Sequence, residues 1–258
     1  MFVTTVEKTN DSLNLKALKT AEQLRVPYVE RHKRTIKQLQ ALYQQPCLVV
    51  GKMKMELYDT EGTDPLFFHP NMAAVRLKRI NKGEEDPFVR ATGLSEGMSI
   101  LDCTLGMGAD ALIASYVIGN NGKITALEVN PYVYSVIKDG LQCYPFKNEE
   151  IGEAAKRIEA LNIDYLTFLK SADDKSYDVV YFDPMFTERV TESTGIHSLG
   201  SFASYQELTK EAIDEAKRVA KKRIILKDHF KSDRFAKLGF HVEKRKTAKF
   251  HFGMIELE

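Results

Sequence analysis

An acidic residue followed at short spacing by two glycines is the first group of residues whose types point to chemistry. Asp102 ends an apolar run over 98–101, and Gly106 and Gly108 precede a helix predicted over 109–117. In a parallel α/β sheet, this order of strand, turn and helix places a small-residue loop and a helix N-terminus at the carboxyl edge. Adenosine-bearing ligands bind at such edges, and we therefore predict that the chain binds one.

The glycines by themselves leave the ligand open. Residues 106–111 fit G-x-G-x-x-A and Glu128 ends the next predicted strand, a pattern typical of nicotinamide or flavin dinucleotide sites. The D-x-x-x-G-x-G spacing from Asp102 instead resembles motif I of class I S-adenosylmethionine-dependent methyltransferases. In those enzymes the acid helps to hold the cationic methionine end of the cofactor, usually through water, and a dinucleotide has no such ammonium. A glycine turn without a ligand is the third interpretation.

A second group follows a strand predicted over 177–182, where the chain continues Asp183, Pro184, Met185 and Phe186. It resembles motif IV of amino-directed methyltransferases. An exocyclic amine conjugated with a purine ring is a poor nucleophile, and acceptors on the Asp183 side chain and the Pro184 carbonyl can bond its N–H groups. Proline fixes φ and helps to aim its carbonyl, while Phe186 can stack on the flat base. A dinucleotide enzyme has no use for these residues, so the motif favours a methyltransferase.

The elements that must position these motifs alternate along the chain from residue 98 onward, as βαβ units do. Predicted strands end near 102, 128, 164, 182 and 227, before a closing antiparallel hairpin over 241–246 and 249–257. Predicted helices cover 109–117, 132–141, 151–160 and 205–220, and the polar segment 187–204 is predicted to be a mobile loop over the site. We expect an α/β protein with a Rossmann-like class I methyltransferase fold, a seven-stranded, mostly parallel sheet with helices on both faces.

The part of the chain ahead of this sheet mixes short strands and helices. The stretch 82–87, KGEEDP, is the most linker-like. We therefore predict a small N-terminal α/β subdomain over 1–85, which we expect to contact RNA, and a methyltransferase domain over 86–258.

Charge is unevenly distributed in this chain of 258 residues, whose formal net charge is only +1. Residues 217–249 contain thirteen Lys or Arg against three acids, and a second basic group lies at 31–34. Either group alone can be a solvated surface, but together they indicate a polyanionic partner such as RNA. Lys227 is expected to point from a strand end towards the site, where a phosphate, Asp228 or Asp183 could bind it.

Cysteine usage and hydropathy bear on location. Cys47, Cys103 and Cys143 are widely spaced, with no C-x-x-C pair, so we expect a reducing compartment and no structural zinc or other metal. No window approaches the roughly 20 apolar residues of a membrane span, and the N-terminus lacks the pattern of a signal peptide. We therefore expect a cytoplasmic protein without a membrane partner.

Several longer stretches are similar to one family. LDCTLGMGADAL, ALEVNPYV, VVYFDPMF and KKRIILK resemble the RsmJ family, bacterial enzymes that methylate the N2 amine of a guanosine in small-subunit ribosomal RNA. The similarity runs from about residue 55 to the C-terminus. The motifs and this resemblance assign to S-adenosylmethionine binding Asp102, Thr104, Gly106, Gly108, Ala109, Asp110, Glu128, Val129, Asp164, Tyr165 and Asp183. The catalytic residues are by the same resemblance Asp183, Pro184 and Phe186.

The chain departs from the family at several of these positions. The family has arginine where Ala109 and Val129 stand, a serine pair at 164–165 and Pro-His at 187–188. In such enzymes, backbone groups and acids make many of the contacts with the cofactor. By this resemblance, Glu128 accepts hydrogen bonds from the ribose hydroxyls, and Asp164 faces the adenine amine. The departures therefore bear on the RNA target rather than on the cofactor.

The predicted reaction is methyl transfer from S-adenosylmethionine to an exocyclic base amine, guanine N2 in ribosomal RNA or the small ribosomal subunit. Two other function classes stay open: a small-molecule or protein N-methyltransferase, and a nucleic-acid-binding protein that has lost the cofactor. A protein without the cofactor would have no need to keep all the motif residues together, so their presence argues against the second class. These residues are Asp102, Gly106, Gly108, Glu128 and Asp183. The sequence does not fix the oligomeric state.

Overall fold

The computed structural model describes residues 1–60, 64–184, 202, 206–245 and 248–258. Its strands are β1 (Phe2–Thr5), β2 (Cys47–Val50), β3 (Met55–Tyr58), β4 (Ser99–Asp102), β5 (Lys123–Leu127), β6 (Glu159–Leu161), β7 (Tyr177–Phe182), β8 (Ala220–His229), β9 (His241–Glu243) and β10 (Phe250–Glu256). Its helices are α1 (Asp11–Leu24), α2 (Ile36–Tyr43), α3 (Asn71–Ile80), α4 (Pro87–Thr92), α5 (Ala109–Ile118), α6 (Pro131–Cys143), α7 (Glu149–Lys156), α8 (Tyr165–Ser171), α9 (Lys210–Val219) and α10 (Arg234–Lys237). These elements divide between two compact units.

The first unit contains the described residues of 1–69 and 130–146, together with Phe202. Its three-stranded sheet has the order β1-β2-β3, with β1 parallel to β2 and β2 antiparallel to β3. α6 approaches Phe68 so closely that a Cβ at Gly140 would overlap the Phe68 side chain, which explains the glycine there. The unit has a small core of its own, built from Phe2, Leu39, Cys47 and Val49.

The second unit contains the described residues of 70–129, 147–190 and 204–258. Its seven-stranded sheet has the order β6-β5-β4-β7-β8-β10-β9. The first five of these strands are parallel, whereas β10 runs antiparallel to both β8 and β9. The predicted seven-stranded, mostly parallel sheet is confirmed, while the domain boundary after residue 85 stays a prediction.

Alternation of side chains along the central strands separates the two faces of this sheet. One face packs with α8, α9 and α10 through a core that includes Leu101, Val180 and Leu226. The residues next in sequence therefore lie on the opposite face, and these are Asp102, Tyr181 and Lys227. Tyr181 and Lys227 both bond a residue of α5, which fixes α5 on that second face.

Two of the predicted helices have wrong boundaries. The helix predicted over 151–160 ends at Lys156, because Glu159–Leu161 pairs with β5 as strand β6. The helix predicted over 205–220 begins at Lys210 behind the Thr209 cap, and Ala220 already belongs to β8. Apart from Phe202, the loop predicted over 187–204 lies outside the described residues. Among the helices that the structure describes, none is long and apolar enough to cross a membrane.

Candidate functional site

The first motif lies where β4 meets α5. The backbone N–H of Thr104 donates to Asp102 Oδ1 over 3.0 Å, which fixes the carboxyl group at the strand end. Gly106 and Gly108 have φ of +49° and +75°, a left-handed backbone that glycine adopts without a steric penalty. The two glycines therefore allow the chain to turn sharply before α5 begins at Ala109.

Asp102 is buried, with 2% of its surface exposed. Burial raises the pKa of its carboxyl group to about 7, and the negative charges of Asp110 and Asp183 add to the rise, against the Thr104 N–H bond. The Asp102 carboxyl group therefore loses its proton less readily than a carboxyl group in water.

Asp110, in the first turn of α5, accepts hydrogen bonds from three side chains. The Tyr181 hydroxyl donates to Oδ2 over 2.7 Å, Lys227 Nζ donates to the same oxygen over 3.0 Å, and the Arg76 guanidinium donates to Oδ1. Burial opposes ionisation, but the Lys227 and Arg76 cations outweigh it and hold the pKa of Asp110 below its ordinary value. Arg76 also makes two bonds to Asp86, of 2.8 and 2.9 Å. Asp110 is therefore an ionised centre of a buried network.

Asp183 follows β7, one residue beyond the strand. Its Oδ2 accepts from Lys227 Nζ over 2.6 Å, and about a quarter of its side chain is exposed. Burial raises the pKa of Asp183, and the negative charge of Asp110 beside the same ammonium adds to the rise. The positive charge of Lys227 opposes the rise without cancelling it. Of the three partners considered for Lys227 from the sequence, the structure shows the salt bridge to Asp183. The Lys227 ammonium also bonds Asp110, so its charge is balanced by these two carboxylates.

Thr104 joins the two motifs. Its N–H bonds Asp102, and its Oγ1 accepts the backbone N–H of Asp183 over 2.6 Å. β4 and β7 are neighbours in the sheet, with Asp102 paired to Tyr181, so the bond continues the contact beyond the strand ends. The residues that end β4 and β7 are therefore held in one fixed arrangement.

Replacement of Thr104 by Val is expected to lower the free energy of unfolding by about 1–3 kcal/mol, because the Asp183 N–H would lose its acceptor in a partly buried site. Thr104→Ser retains the oxygen and should lose much less. Urea denaturation of both variants measures the difference. A loss in Thr104→Ser as large as that in Thr104→Val would contradict this role of the hydroxyl oxygen, because serine retains the oxygen.

The remaining predicted residues follow β5 and β6 in the chain. Glu128 and Val129 come just after β5, and Asn162 Nδ2 donates to both of their carbonyl oxygens, over 2.7 and 3.1 Å. Asp164 does not end a strand as predicted: it caps α8, accepting from the Thr167 N–H over 2.9 Å. Tyr165 is a core residue. The roles of these residues in cofactor binding stay predictions.

The described site differs from the predicted set of residues at Phe186, Arg76 and Tyr181. Phe186 lies outside the described residues, which end this stretch at Pro184. Arg76 and Tyr181 were not predicted to be site residues. Tyr181 could have been found because it lies on β7, two residues before Asp183, and alternate residues of an extended chain point to the same face. Nothing in the sequence near Arg76 signals its role. Among the residues that the structure describes, no group of three His, Cys, Asp or Glu could hold a metal ion.

The strand order, the reversed β10 and the glycine turn after β4 define a Rossmann-like class I methyltransferase fold. The chain belongs to the SAM_MT family, whose model, described as "Putative SAM-dependent methyltransferase", matches residues 9–251. It is therefore an S-adenosylmethionine-dependent methyltransferase, and the prediction of this cofactor over a dinucleotide is confirmed.

Three relatives and one solved structure are similar to this chain over most of its length. "Uncharacterized protein YpiP" of Bacillus subtilis is 44% identical over 99% of both chains. "Ribosomal RNA small subunit methyltransferase J" of Buchnera aphidicola is 24% identical, over 70% of this chain and 74% of its own. The same-named protein of Nitrosococcus oceani is 27% identical, over 70% and 72%. The crystal structure of the SAM-dependent methyltransferase NGO1261 from Neisseria gonorrhoeae shares the fold, with a TM-score of 0.61 at 16% identity, over 99% of this chain and 96% of that one.

Proposed function

We propose that the protein methylates an exocyclic base amine of RNA, guanine N2 in small-subunit ribosomal RNA. The observation that carries the proposal is the placement of Asp183 and Pro184 at the carboxyl end of β7, bound to the Asp102 motif through Thr104 and with the Asp183 carboxylate fixed by Lys227. Two relatives are named as ribosomal RNA small subunit methyltransferases, which supports the substrate class.

The acids at the sheet edge fit S-adenosylmethionine by their chemistry. In the order of the strands β6, β5, β4 and β7, one acid lies at or just beyond each carboxyl end, namely Asp164, Glu128, Asp102 (the last residue of β4) and Asp183. The cofactor presents an ammonium, two ribose hydroxyls and an adenine amine, all of them donors, to such acceptors. Bound there, it supplies a methyl group on a cationic sulfur. We assign Asp102 to the methionine end, Glu128 to the ribose and Asp164 to the adenine.

The residues of the second motif activate the amine by accepting its protons in hydrogen bonds. Asp183 and the Pro184 carbonyl bond the two N–H groups, which turns the nitrogen lone pair out of conjugation with the base and towards the methyl group. The new N–C bond forms as the C–S bond breaks, and the extra amine proton leaves to water. Lys227 opposes protonation of Asp183 and orients its carboxyl group. Alignment of the amine with the methyl group supplies most of the rate.

Because the pKa of Asp102 is raised, we expect its carboxyl group to release a proton when the cofactor binds. Below pH 7 its carboxyl group holds a proton in the free protein, and the cationic methionine end favours the carboxylate. Calorimetry with S-adenosylhomocysteine at pH 6, in buffers of different ionisation enthalpy, should detect release of close to one proton. The release should vanish at pH 8.5 and in Asp102→Asn; no release at pH 6 would contradict this role.

The basic residues support an RNA partner less strongly than their number predicts. Of the thirteen Lys and Arg in 217–249, at least seven form ion pairs within the protein, namely Lys217, Arg218, Lys222, Arg223, Lys227, Arg234 and Lys237. In the N-terminal group, Arg31 donates to the Thr5 and Arg34 carbonyl oxygens, over 3.1 and 2.8 Å. We assign the remaining cations, including those of the predicted subdomain over 1–85, to phosphates outside the target base.

The experiment is methyl transfer to RNA from a strain that lacks the gene. The purified protein is incubated with labelled S-adenosylmethionine and either naked small-subunit RNA or intact small subunits, and the RNA is digested to nucleosides. Label in N2-methylguanosine is the expected result, and it would accord with a cytoplasmic enzyme. Label in another nucleoside, or only in small molecules or protein, would overturn the proposed substrate while leaving the methyltransferase assignment intact.

A further inference from the structure

One large aromatic side chain is exposed at the same sheet edge. Phe230 directly follows β8, and 46% of its surface is exposed. Its ring centroid lies 4.6 Å from that of His229 and 6.2 Å from that of His251. In the β8–β10 pairing, His229 is opposite Phe250 and His251 is opposite Asp228, so the two imidazoles lie on opposite faces of the sheet. Phe230 therefore caps the sheet edge and joins neither core.

Cations lie near this ring and near the ring of Phe250 on the adjacent strand β10. Lys231 Nζ lies 5.6 Å from the centroid of Phe230. The Phe250 ring has Arg245 Cζ at 5.2 Å and Lys227 Nζ at 5.1 Å from its centroid. We call Phe230, Lys231, Arg245 and Phe250 the edge surface. Because the same Lys227 ammonium bonds Asp183, the Phe250 end of the edge surface adjoins the proposed amine site.

The edge surface has a cationic donor without an acceptor. Arg245 Nη1 is buried and has no hydrogen-bond partner among the residues that the structure describes. Asp228 is the acid nearest in the sequence to Phe230, and its two carboxylate oxygens already accept hydrogen bonds from Ser232 over 2.6 Å and from Arg234 over 2.9 Å. A buried guanidinium N–H without an acceptor is costly, and a phosphate oxygen is an acceptor that would satisfy it.

We propose that the edge surface binds the nucleotide next to the methylated one, with its base stacked on Phe230 and its phosphate held by Arg245 and Lys231. The proposal rests on RNA being the substrate. An exposed ring beside unneutralised cations fits a single-stranded nucleic acid, since every base offers a flat face and every linkage a negative charge. An acidic peptide would use the cations but would leave the ring without a function.

The test is binding of a fluorescein-labelled single-stranded RNA, with a single guanosine flanked by 2-aminopurine, in the presence of S-adenosylhomocysteine. Phe230→Ala should weaken binding about tenfold and abolish the quenching of 2-aminopurine that stacking produces in the unaltered protein. Phe230→Tyr should retain both. Val75→Ala, which shortens another exposed apolar side chain, is the matched control and should change neither.

A second measurement isolates the phosphate contact. Arg245→Gln should reduce the slope of log Kd against log salt concentration by about 0.7, the value for one phosphate on a single strand, while Arg245→Lys should not. RNA binding by Phe230→Ala that equals that of the unaltered protein would overturn the edge surface alone. Failure of the unaltered protein to bind any single-stranded RNA would also overturn this proposal, whereas the RNA substrate itself is decided by the methyl-transfer experiment on small-subunit RNA and intact small subunits.

Discussion

Replacement of Asp183 by Ala is expected to abolish turnover, with a loss in kcat of about a thousandfold or more, while binding of S-adenosylhomocysteine stays measurable. The carboxylate is the group that we assign to the amine, and nothing else in the described site replaces it there. The backbone N–H of Asp183, which bonds Thr104, is retained in the variant, so the end of β7 should keep its position.

Single-turnover transfer of labelled methyl to RNA measures the chemical step, and calorimetry measures the cofactor. Asp183→Asn keeps the shape but not the charge, and should be less impaired than Asp183→Ala. Asp174→Ala removes an exposed carboxylate that pairs with Arg218 and should leave kcat unchanged. Equal losses of turnover and of cofactor binding in Asp183→Ala would contradict the role in amine activation and indicate a residue of the cofactor site.

Replacement of Lys227 by Met is expected to lower the free energy of unfolding by about 3–5 kcal/mol at neutral pH. The variant would leave Asp110 and Asp183 facing each other in a largely buried site without the ammonium that lies between them. Protonation of one acid would relieve the repulsion, and if Asp183 takes the proton its acceptor strength falls. Activity should therefore fall by about a hundredfold, mainly in kcat.

The pH dependence of this variant has a definite sign. In the unaltered protein Lys227 and Arg76 depress the pKa of Asp110, so that this acid contributes stability above its unfolded pKa, and the contribution is lost as the pH falls. Without Lys227 the pKa of Asp110 rises, and the contribution shrinks. The difference in stability between the two proteins should therefore be largest near pH 7.5 and smaller near pH 4.5.

Urea denaturation at the two pH values, combined with a pH profile of kcat, checks this prediction. Lys227→Arg should recover part of both stability and activity, because a cation is restored. Lys222→Met is the matched control: Lys222 lies on the same strand but pairs with Asp178 and is half-exposed, so its loss should cost less than about 1 kcal/mol. Equal losses in the two Met variants would contradict a special role for Lys227.

Local signals in the sequence account for the fold class and the two motifs. Strand, glycine turn and helix follow one another between 98 and 117, and the Asp-Pro pair comes directly after an unbroken strand. Each pattern is contained in a short stretch, so its chemistry can be predicted without tertiary contacts. The helix boundaries near Lys156 and Lys210 were wrong because pairing with β5 and a side-chain cap, respectively, determine them.

Short stretches of the sequence were enough to predict the α/β sheet, the S-adenosylmethionine cofactor and the position of Asp102 before the glycine turn. The network of Arg76, Asp110 and Lys227 with Asp183 became visible when the chain was seen folded. Arg76 and Lys227 lie 34 and 117 residues from Asp110, respectively. Their meeting depends on the order of the strands, on the register between β7 and β8 and on the face to which alternate side chains point. Those are properties of the assembled sheet, and no short stretch of the chain contains them.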